Sequence, residues 1–240
     1  MVNLSIVIPA HNEAENIIAL VDTINAVLAA RGAFEIVVVD DGSGDATVAA
    51  LTARMAALPC LRLVRHPVAA GQSAAVHSGV LAAQGALICT LDGDGQNPPE
   101  DIPALVSALE AAGPGVGLVA GQRVGRKDTL SKRLASRFAN GLRGWMLNDR
   151  TRDTGCGLKA FRRDAFLRLP YFNHMHRYLP ALFARDGWTV IHVDVGHRPR
   201  MAGRSKYNNL QRGLVGIVDL FGVMWLLRRR KTTTPIADER

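Results

Sequence analysis

Leu91-Asp92-Gly93-Asp94-Gly95-Gln96-Asn97-Pro98-Pro99 is the stretch on which the reading of this chain turns. Ahead of it runs Ala86-Leu87-Ile88-Cys89-Thr90-Leu91, short and apolar like a buried strand, and the two carboxylates stand directly at its carboxyl end. Open α/β sheets bind their ligands at that end of their strands. Two Asp side chains one residue apart, with Gly between and after them, concentrate negative charge with little bulk. Such oxygen donors suit a hard divalent cation that bridges to a diphosphate. They also suit a polar turn, because Asp, Gly, Asn and Pro all favour turns. On this stretch alone both readings stand.

Working outward, the same layout recurs upstream. Leu4 to Ile8 reads as a strand ended by Pro9, and His11-Asn12-Glu13-Ala14-Glu15 opens a helix carrying Ile17, Leu20, Val21, Ile24, Val27 and Leu28 at helical spacing, closed by Gly32. Phe34 to Val39 is a second strand, apolar throughout as expected of one covered on both faces, and Asp40-Asp41-Gly42-Ser43-Gly44-Asp45 follows it. A helix over 46–57, a strand over 61–64 and a helix over 71–84 lead to the strand before Asp92. The alternation predicts right-handed parallel units. Downstream, Pro98-Pro99-Glu100 starts a helix to about Ala111. Gly113-Pro114-Gly115-Val116-Gly117 has the look of a dinucleotide fingerprint, but the strand 118–121 follows it rather than a helix, so it reads as a turn.

From Lys127 to Asn148 the pattern is an amphipathic helix, with Leu130, Leu134, Phe138, Leu142, Trp145 and Met146 on one side and Lys132, Arg133, Arg137 and Arg143 on the others. It suits a core-facing surface helix or a membrane interface. A glycine-rich turn over 152–158 runs into a strand. A helix over 180–185, a strand over 188–197 and a basic loop with Arg198, Arg200, Arg204 and Lys206 come next. Leu210 to Leu227 is a strongly apolar helix stopped by Arg228-Arg229-Arg230-Lys231, and 232–240 is a polar tail. His174, His176 and Arg177 sit in a loop that could line the acceptor side, but a loop His is more often only solvent-exposed, and they are left out of the site.

Hydrophobic residues make up 48% of the 240 and charged residues 21%, enough to bury a full core. Against 21 Asp and Glu stand 29 Lys and Arg, for a net charge of +8 with the excess after residue 120, which calls for an anionic partner. Three Trp, three Tyr and seven Phe are too few for a base-stacking platform, so membrane or phosphate is expected rather than nucleic acid. Cys60, Cys89 and Cys156 have neither zinc spacing nor an even count, consistent with a reducing cytosol. Met1 to Ala10 lacks the pattern of a signal peptide, so export by that route is not expected. Gly213 to Leu227 contains Asp219 and falls short of the ~20 apolar residues that span a bilayer.

Three motifs in order, Ile6-Val7-Ile8-Pro9-Ala10-His11-Asn12-Glu13, Asp40-Asp41-Gly42-Ser43 and Asp92 to Glu100, resemble the signature of family 2 glycosyltransferases with the GT-A fold. Lys132-Arg133-Leu134-Ala135-Ser136-Arg137, Asp153-Thr154-Gly155-Cys156-Gly157-Leu158-Lys159 and Ala202-Gly203-Arg204-Ser205-Lys206-Tyr207 resemble the branch holding dolichyl-phosphate mannose synthases and bacterial polyprenyl-phosphate glycosyltransferases. The resemblance spans about residues 4–210. It implies an α/β chain with a mostly parallel, Rossmann-like central sheet flanked by helices. A catalytic domain over 1–207 would include the interface helix 127–148, followed by a membrane-peripheral apolar helix over 208–231 and a tail over 232–240.

The site residues that the resemblance implies are Pro9, His11, Glu13, Asp40, Asp41 and Asp92 for the nucleotide sugar, and Asp92, Asp94 and Gln96 for Mg2+ or Mn2+. For the acceptor and donor phosphates they are Arg123, Lys132, Arg133, Ser136 and Lys206, with Asp94, Arg123 and Arg133 central to catalysis. The implied reaction is inverting transfer from a GDP- or UDP-linked sugar to a polyprenyl phosphate, dolichyl or undecaprenyl, at the cytoplasmic face of a membrane. Its product would serve envelope polysaccharide, lipid or protein glycosylation. A membrane-anchored protein partner or a homo-oligomer is compatible with the motifs.

The chain departs from the family pattern at Gly93, where most relatives carry Ala, and at Gly95, where they often carry Leu, so a more flexible loop is expected. His66 to Gln72 matches the family loop only loosely, with a role open for Gln72. Many relatives continue into one or more transmembrane helices where this sequence has its 15-residue apolar stretch, which suggests a membrane-peripheral version. Other readings are a GT-A transferase with a non-polyprenyl acceptor and a non-catalytic nucleotide-sugar or membrane module. An aspartyl-phosphate phosphatase is disfavoured because Gln96 stands where those enzymes want Thr or Val, and a processive synthase because the QxxRW motif is absent.

Overall fold

A computed structural model describes residues 2–124, 141, 143, 144, 146, 147, 151, 153–198 and 209–229. Seven strands form one sheet: β1 (Leu4–Ala10), β2 (Phe34–Asp41), β3 (Leu61–His66), β4 (Leu87–Thr90), β5 (Val116–Arg123), β6 (Lys159–Arg162) and β7 (Thr189–Val195), in the order β3-β2-β1-β4-β6-β5-β7. All neighbours are parallel except β6, which runs antiparallel to both β4 and β5. The helices are α1 (Ile17–Leu28), α2 (Thr47–Met55), α3 (Gln72–Ala82), α4 (Ile102–Ala111), α5 (Arg163–Leu167), α6 (Leu179–Arg185) and α7 (Asn209–Leu227), with short 3-10 turns at Pro99–Asp101 and Met175–Arg177.

Alternation along β1 sends Ile6 and Ile8 to one face and Val7 to the other. On the first face they meet Ile17, Val21 and Ile24 of α1, Leu51 of α2, and Ile102, Leu105 and Val106 of α4. On the second, Val7, Val37 and Ile88 meet Ala75 and Val80 of α3, Phe166 of α5, Phe183 of α6 and Val223 of α7. Each fully buried Ile or Phe adds roughly 1.5–3 kcal/mol, so the two cores hold β1, β2 and β4 rigidly side by side. Gly79 of α3 lies so close to β1 that a Cβ there would strike Val7, which lets that helix press onto the strands that carry the site.

Several elements differ from the sequence reading. Helix α1 starts at Ile17 rather than at His11, because Asn12 adopts a positive φ of 54° and the 11–15 segment is spent bonding the loop after β2. Strand β5 runs over Val116–Arg123 and β3 reaches His66, each longer than its apolar run, since ladder hydrogen bonds continue into polar residues. Arg143, expected on a solvent face, is only 8% exposed, and Leu147 beside it joins the second core. Gly141, Arg143, Gly144, Met146 and Leu147 are helical. The rest of the expected helix 127–148 lies outside the described residues, as do the boundary at 207 and the tail 232–240.

Helix α7 packs against α6, buries Val223 in the second core and leaves Ile217, Val218, Phe221 and Trp225 exposed. Among the described residues no helix is long and apolar enough to cross a membrane.

Candidate active site

The sheet order places the carboxyl ends of β2, β1 and β4 next to one another, and with them Asp40 and Asp41, the 9–13 segment, and Asp92. The loops after β1 and β2 are stitched together. His11 Nδ1 lies 2.7 Å from the Asp41 carbonyl, Asn12 N–H donates to Ser43 Oγ at 2.8 Å, Gly44 N–H donates to Asn12 Oδ1 at 2.7 Å, and Glu13 N–H donates to Thr47 Oγ1 at 2.9 Å. Pro9 pairs with Val39 inside the sheet, and its carbonyl faces Gly93 so closely that a Cβ there would come within 2.9 Å of it. Gly93 is therefore required by packing, and Gly95 by its φ of 73°. This gives the two glycines a packing and conformational role beyond looseness of the loop.

The paired aspartates of β2 have different surroundings. Asp41 is saturated: Ala70 and Gly71 N–H groups donate to its two oxygens at 2.8 and 2.7 Å, and His66 Nδ1 lies 2.7 Å from Oδ1. Burial would raise its pKa, but these hydrogen bonds outweigh burial and hold it below the usual carboxylate value. Asp40 receives Ser43 N–H on Oδ2 at 3.3 Å, while its buried Oδ1 has no hydrogen-bond partner. A buried acceptor left open asks for a donor from outside the chain. Of the two, the structure leaves Asp40 able to receive a ligand.

Asp92 accepts Gln72 Nε2 on Oδ1 at 2.7 Å, and its own N–H donates to Asn97 Oδ1. Gly157 presses on its carboxylate, where a Cβ would collide. Burial first, and the neighbouring Asp94 charge second, push the Asp92 carboxyl up to about 6. Asp94 Oδ1 is fixed by Gln96 N–H at 3.1 Å, and the Gln96 carbonyl accepts Arg198 N–H. Two crowded carboxylates whose mutual repulsion raises a pKa match the donor set of a hard cation, which offsets both causes. No cluster of three His, Cys, Asp or Glu side chains occurs among the described residues. Asp92, Asp94 and the Gln96 amide are the oxygen donors that could hold such a cation at this end of the sheet.

Cations stand across from this acidic pair. Arg123, at the end of β5, forks onto Asp153 through Nε at 2.6 Å and Nη2 at 2.9 Å, leaving Nη1 outside the fork. Burial lowers its pKa, but Asp153 outweighs burial and raises it. Lys159, 4% exposed, donates to the Cys156 carbonyl. Burial pushes it below the usual lysine value against the pull of Asp92 and Asp153. Neither Asp153 nor Lys159 was singled out from sequence, although both bracket the quoted glycine-rich motif. A lysine at the head of a strand that is otherwise buried was the available signal. Lys132, Arg133, Ser136 and Lys206 lie outside the described residues.

With the geometry in place, comparison with known proteins is informative. The model of glycosyl transferase family 2 matches residues 5–169. This chain belongs to that family. Among curated relatives, the dodecaprenyl-phosphate galacturonate synthase of Rhizobium johnstonii is 36% identical over 230 residues, covering 94% of this chain and 67% of its own. The undecaprenyl-phosphate 4-deoxy-4-formamido-L-arabinose transferase of Pectobacterium carotovorum is 34% identical over 241 residues, covering 98% and 69%. A mannosyltransferase from Pyrobaculum calidifontis, solved with GDP-Man and Mn2+, shares the fold at a TM-score of 0.70 and 24% identity, covering 95% of this chain and 65% of that one. As a family 2 glycosyltransferase, the chain carries its acidic pair at the sheet edge where α/β proteins bind ligands.

Proposed function

We propose that this glycosyltransferase moves a sugar from a nucleotide diphosphate to a polyprenyl phosphate, with inversion at the anomeric carbon. The observation that carries the reading is the Asp92–Asp94 pair at the end of β4, with the cations Arg123 and Lys159 near it, an arrangement that would suit a metal and the anions bound to it. The relatives named above support the acceptor class. A divalent cation, Mg2+ or Mn2+, on Asp92, Asp94 and Gln96 would offset charge on the departing diphosphate.

The chain's own residues do the rest. Asp40 Oδ1 accepts from the base or ribose, and the stitched 9–13 and 40–45 loops fix the nucleotide. Arg123, with Arg133, Lys132, Ser136 and Lys206 from the segments beyond the described residues, offsets repulsion between donor and acceptor phosphates. A lipid phosphate is anionic at neutral pH. Its oxygen attacks the anomeric carbon as the bond to the diphosphate breaks, and no protein base has to remove a proton.

The acceptor brings the enzyme to a membrane. Helix α7 offers Ile217, Val218, Phe221 and Trp225 on one exposed side, with exposed Arg228 and Arg229 at its end and the Arg229 guanidinium 5.6 Å from the Trp225 ring. Apolar area beside basic charge suits the cytoplasmic face of an anionic leaflet, with each cation adding ~1 kcal/mol there. The test incubates purified protein with Mn2+ or Mg2+, undecaprenyl phosphate in anionic vesicles and a panel of GDP- and UDP-sugars, and detects glycolipid by mass. A metal-dependent glycosyl phospholipid, absent with Asp94→Ala, is expected. Donor consumption that leaves no lipid product, with transfer instead to a soluble acceptor, would sink the polyprenyl reading.

A further inference from the structure

Asp92, one of the carboxylates assigned to the cation above, is held by a side chain with its own supports. Gln72 opens α3 and donates to Asp92 Oδ1 at 2.7 Å. On one side the turn before it is pinned by Asp41, which receives the Ala70 and Gly71 N–H groups. On the other, Ser73 is bonded twice to a residue 103 positions away: His176 N–H donates to Ser73 Oγ at 3.2 Å, and Ser73 Oγ lies 2.7 Å from His176 Nδ1. The same turn reaches α7, because His174 Nδ1 lies 2.9 Å from Asp219 Oδ2, and Tyr178 Oη donates to the Gly216 carbonyl at 3.2 Å. His174 adopts a left-handed φ of 67°, a conformation that costs a non-glycine residue energy and persists only when its surroundings impose it. Asp219 is the single acid of the stretch 213–227, and it pairs with His174 while Ile217, Val218, Phe221 and Trp225 are exposed. A contiguous line of short polar contacts thus runs from α7 through the 174–176 turn and the head of α3 to Asp92.

We propose that Gln72 is a positioning residue for Asp92, and that the His174–Asp219 and His176–Ser73 pairs couple its placement to the seating of α7 on the second core. Docking of the outer side of α7 would thereby steady the metal-binding carboxylate, and donor loading would be strongest where the lipid acceptor is. This rests on the glycosyl-transfer reading above.

Binding of Mn2+ together with UDP or GDP, followed by the loss of the free Mn2+ paramagnetic resonance signal, tests it without turnover. Gln72→Met keeps the length of the side chain and removes the donor. It should weaken Mn2+–nucleotide binding about 10-fold, the loss typical when the partner of a metal ligand is removed. The rate at saturating Mn2+ and donor should recover, a KM effect rather than a kcat effect. Ser73→Ala and Asp219→Ala should each weaken binding roughly 3-fold, and Gln72→Met/Asp219→Ala should bind no more weakly than Gln72→Met alone, because both act through one contact. Full additivity of the pair overturns the coupling. Unchanged binding in Gln72→Met overturns the positioning role, and a lowered Tm with unchanged binding in Ser73→Ala or Asp219→Ala assigns those pairs to stability only. If the wild type binds neither Mn2+–UDP nor Mn2+–GDP, the glycosyl-transfer reading fails and takes this inference with it.

Discussion

Glu35 near the start of β2 and Asp92 at the end of β4 are both acids set into the same sheet, and their surroundings are opposite. Glu35 is 3% exposed and fully answered: Ser5 Oγ and Gln84 N–H each donate to Oε1 at 2.6 Å, and Arg62 donates to Oε2. Burial raises its pKa, but these donors outweigh burial and hold it below the ordinary value. Asp92 has one donor, Gln72, a like charge next door, and a pKa raised to about 6. The first acid ties β1, β2 and β3 together. The second is left in deficit, and that deficit is what a cation would relieve. Glu35 is satisfied at one end of the sheet, whereas at the other Asp40 and Asp92 are left short beside a saturated Asp41, which marks the second end as the working one.

Asp94→Ala should lower glycosyl transfer by at least about 100-fold with the fold intact, read by product mass and by circular dichroism. Glu35→Ala leaves the Gln84 N–H and Ser5 hydroxyl without their acceptor. It should destabilise by about 2–3 kcal/mol, a Tm drop of roughly 5–10 °C, with turnover per folded molecule unchanged.

Asp92→Asn should act in the other sense. A folded-state pKa raised to about 6 means that the charged form opposes folding above the ordinary Asp value. Removing that charge should therefore stabilise the metal-free protein by about 1–2 kcal/mol at pH 7.5, a figure discounted because Asp92 is not fully buried, while transfer is lost. Destabilisation by Asp92→Asn in urea unfolding would erase the contrast with Glu35.

The pH dependence separates the two ends further. Because the folded pKa of Glu35 is depressed, its contribution is complete above the ordinary Glu value of about 4.3 and is lost as pH falls through the folded value. Glu35→Gln should flatten that acid limb in urea titrations between about pH 5 and 2, whereas a limb unchanged from wild type would show that Glu35 is not the group responsible. The smallest effect expected is for Gly93→Ala, whose Cβ must displace the Pro9 carbonyl, at about 1 kcal/mol in the same assay.

Much of this was legible in the residues. The strands over 4–8, 34–39 and 86–91 could be read because each is a short apolar run ended by turn residues. The acidic pair stood out because Asp-Gly-Asp-Gly follows such a run directly. What was not legible depends on partners far along the chain. Asp40 and Asp41 are neighbours of identical type, and only the fold of the 66–71 loop back onto β2 decides which one is saturated. His174 and His176 read as exposed loop residues because their partners, Asp219 and Ser73, are 45 and 103 positions away. β6 could be seen as a strand after a glycine-rich turn, but not as the one strand running against its neighbours.

The sequence by itself determined the α/β class, the parallel core strands, the acidic loop after β4 and the family motifs, because hydrophobic period and turn chemistry are properties of residues close together in the chain. Only the tertiary structure decided the charge balance at the site. It left Asp40 rather than Asp41 with an open acceptor, set Gln72 on Asp92, and enclosed Lys159 and Arg123 opposite the acids. Whether a buried charge is satisfied depends on which groups share its low-dielectric surroundings, and those groups come from strands and loops that meet only when the sheet is assembled.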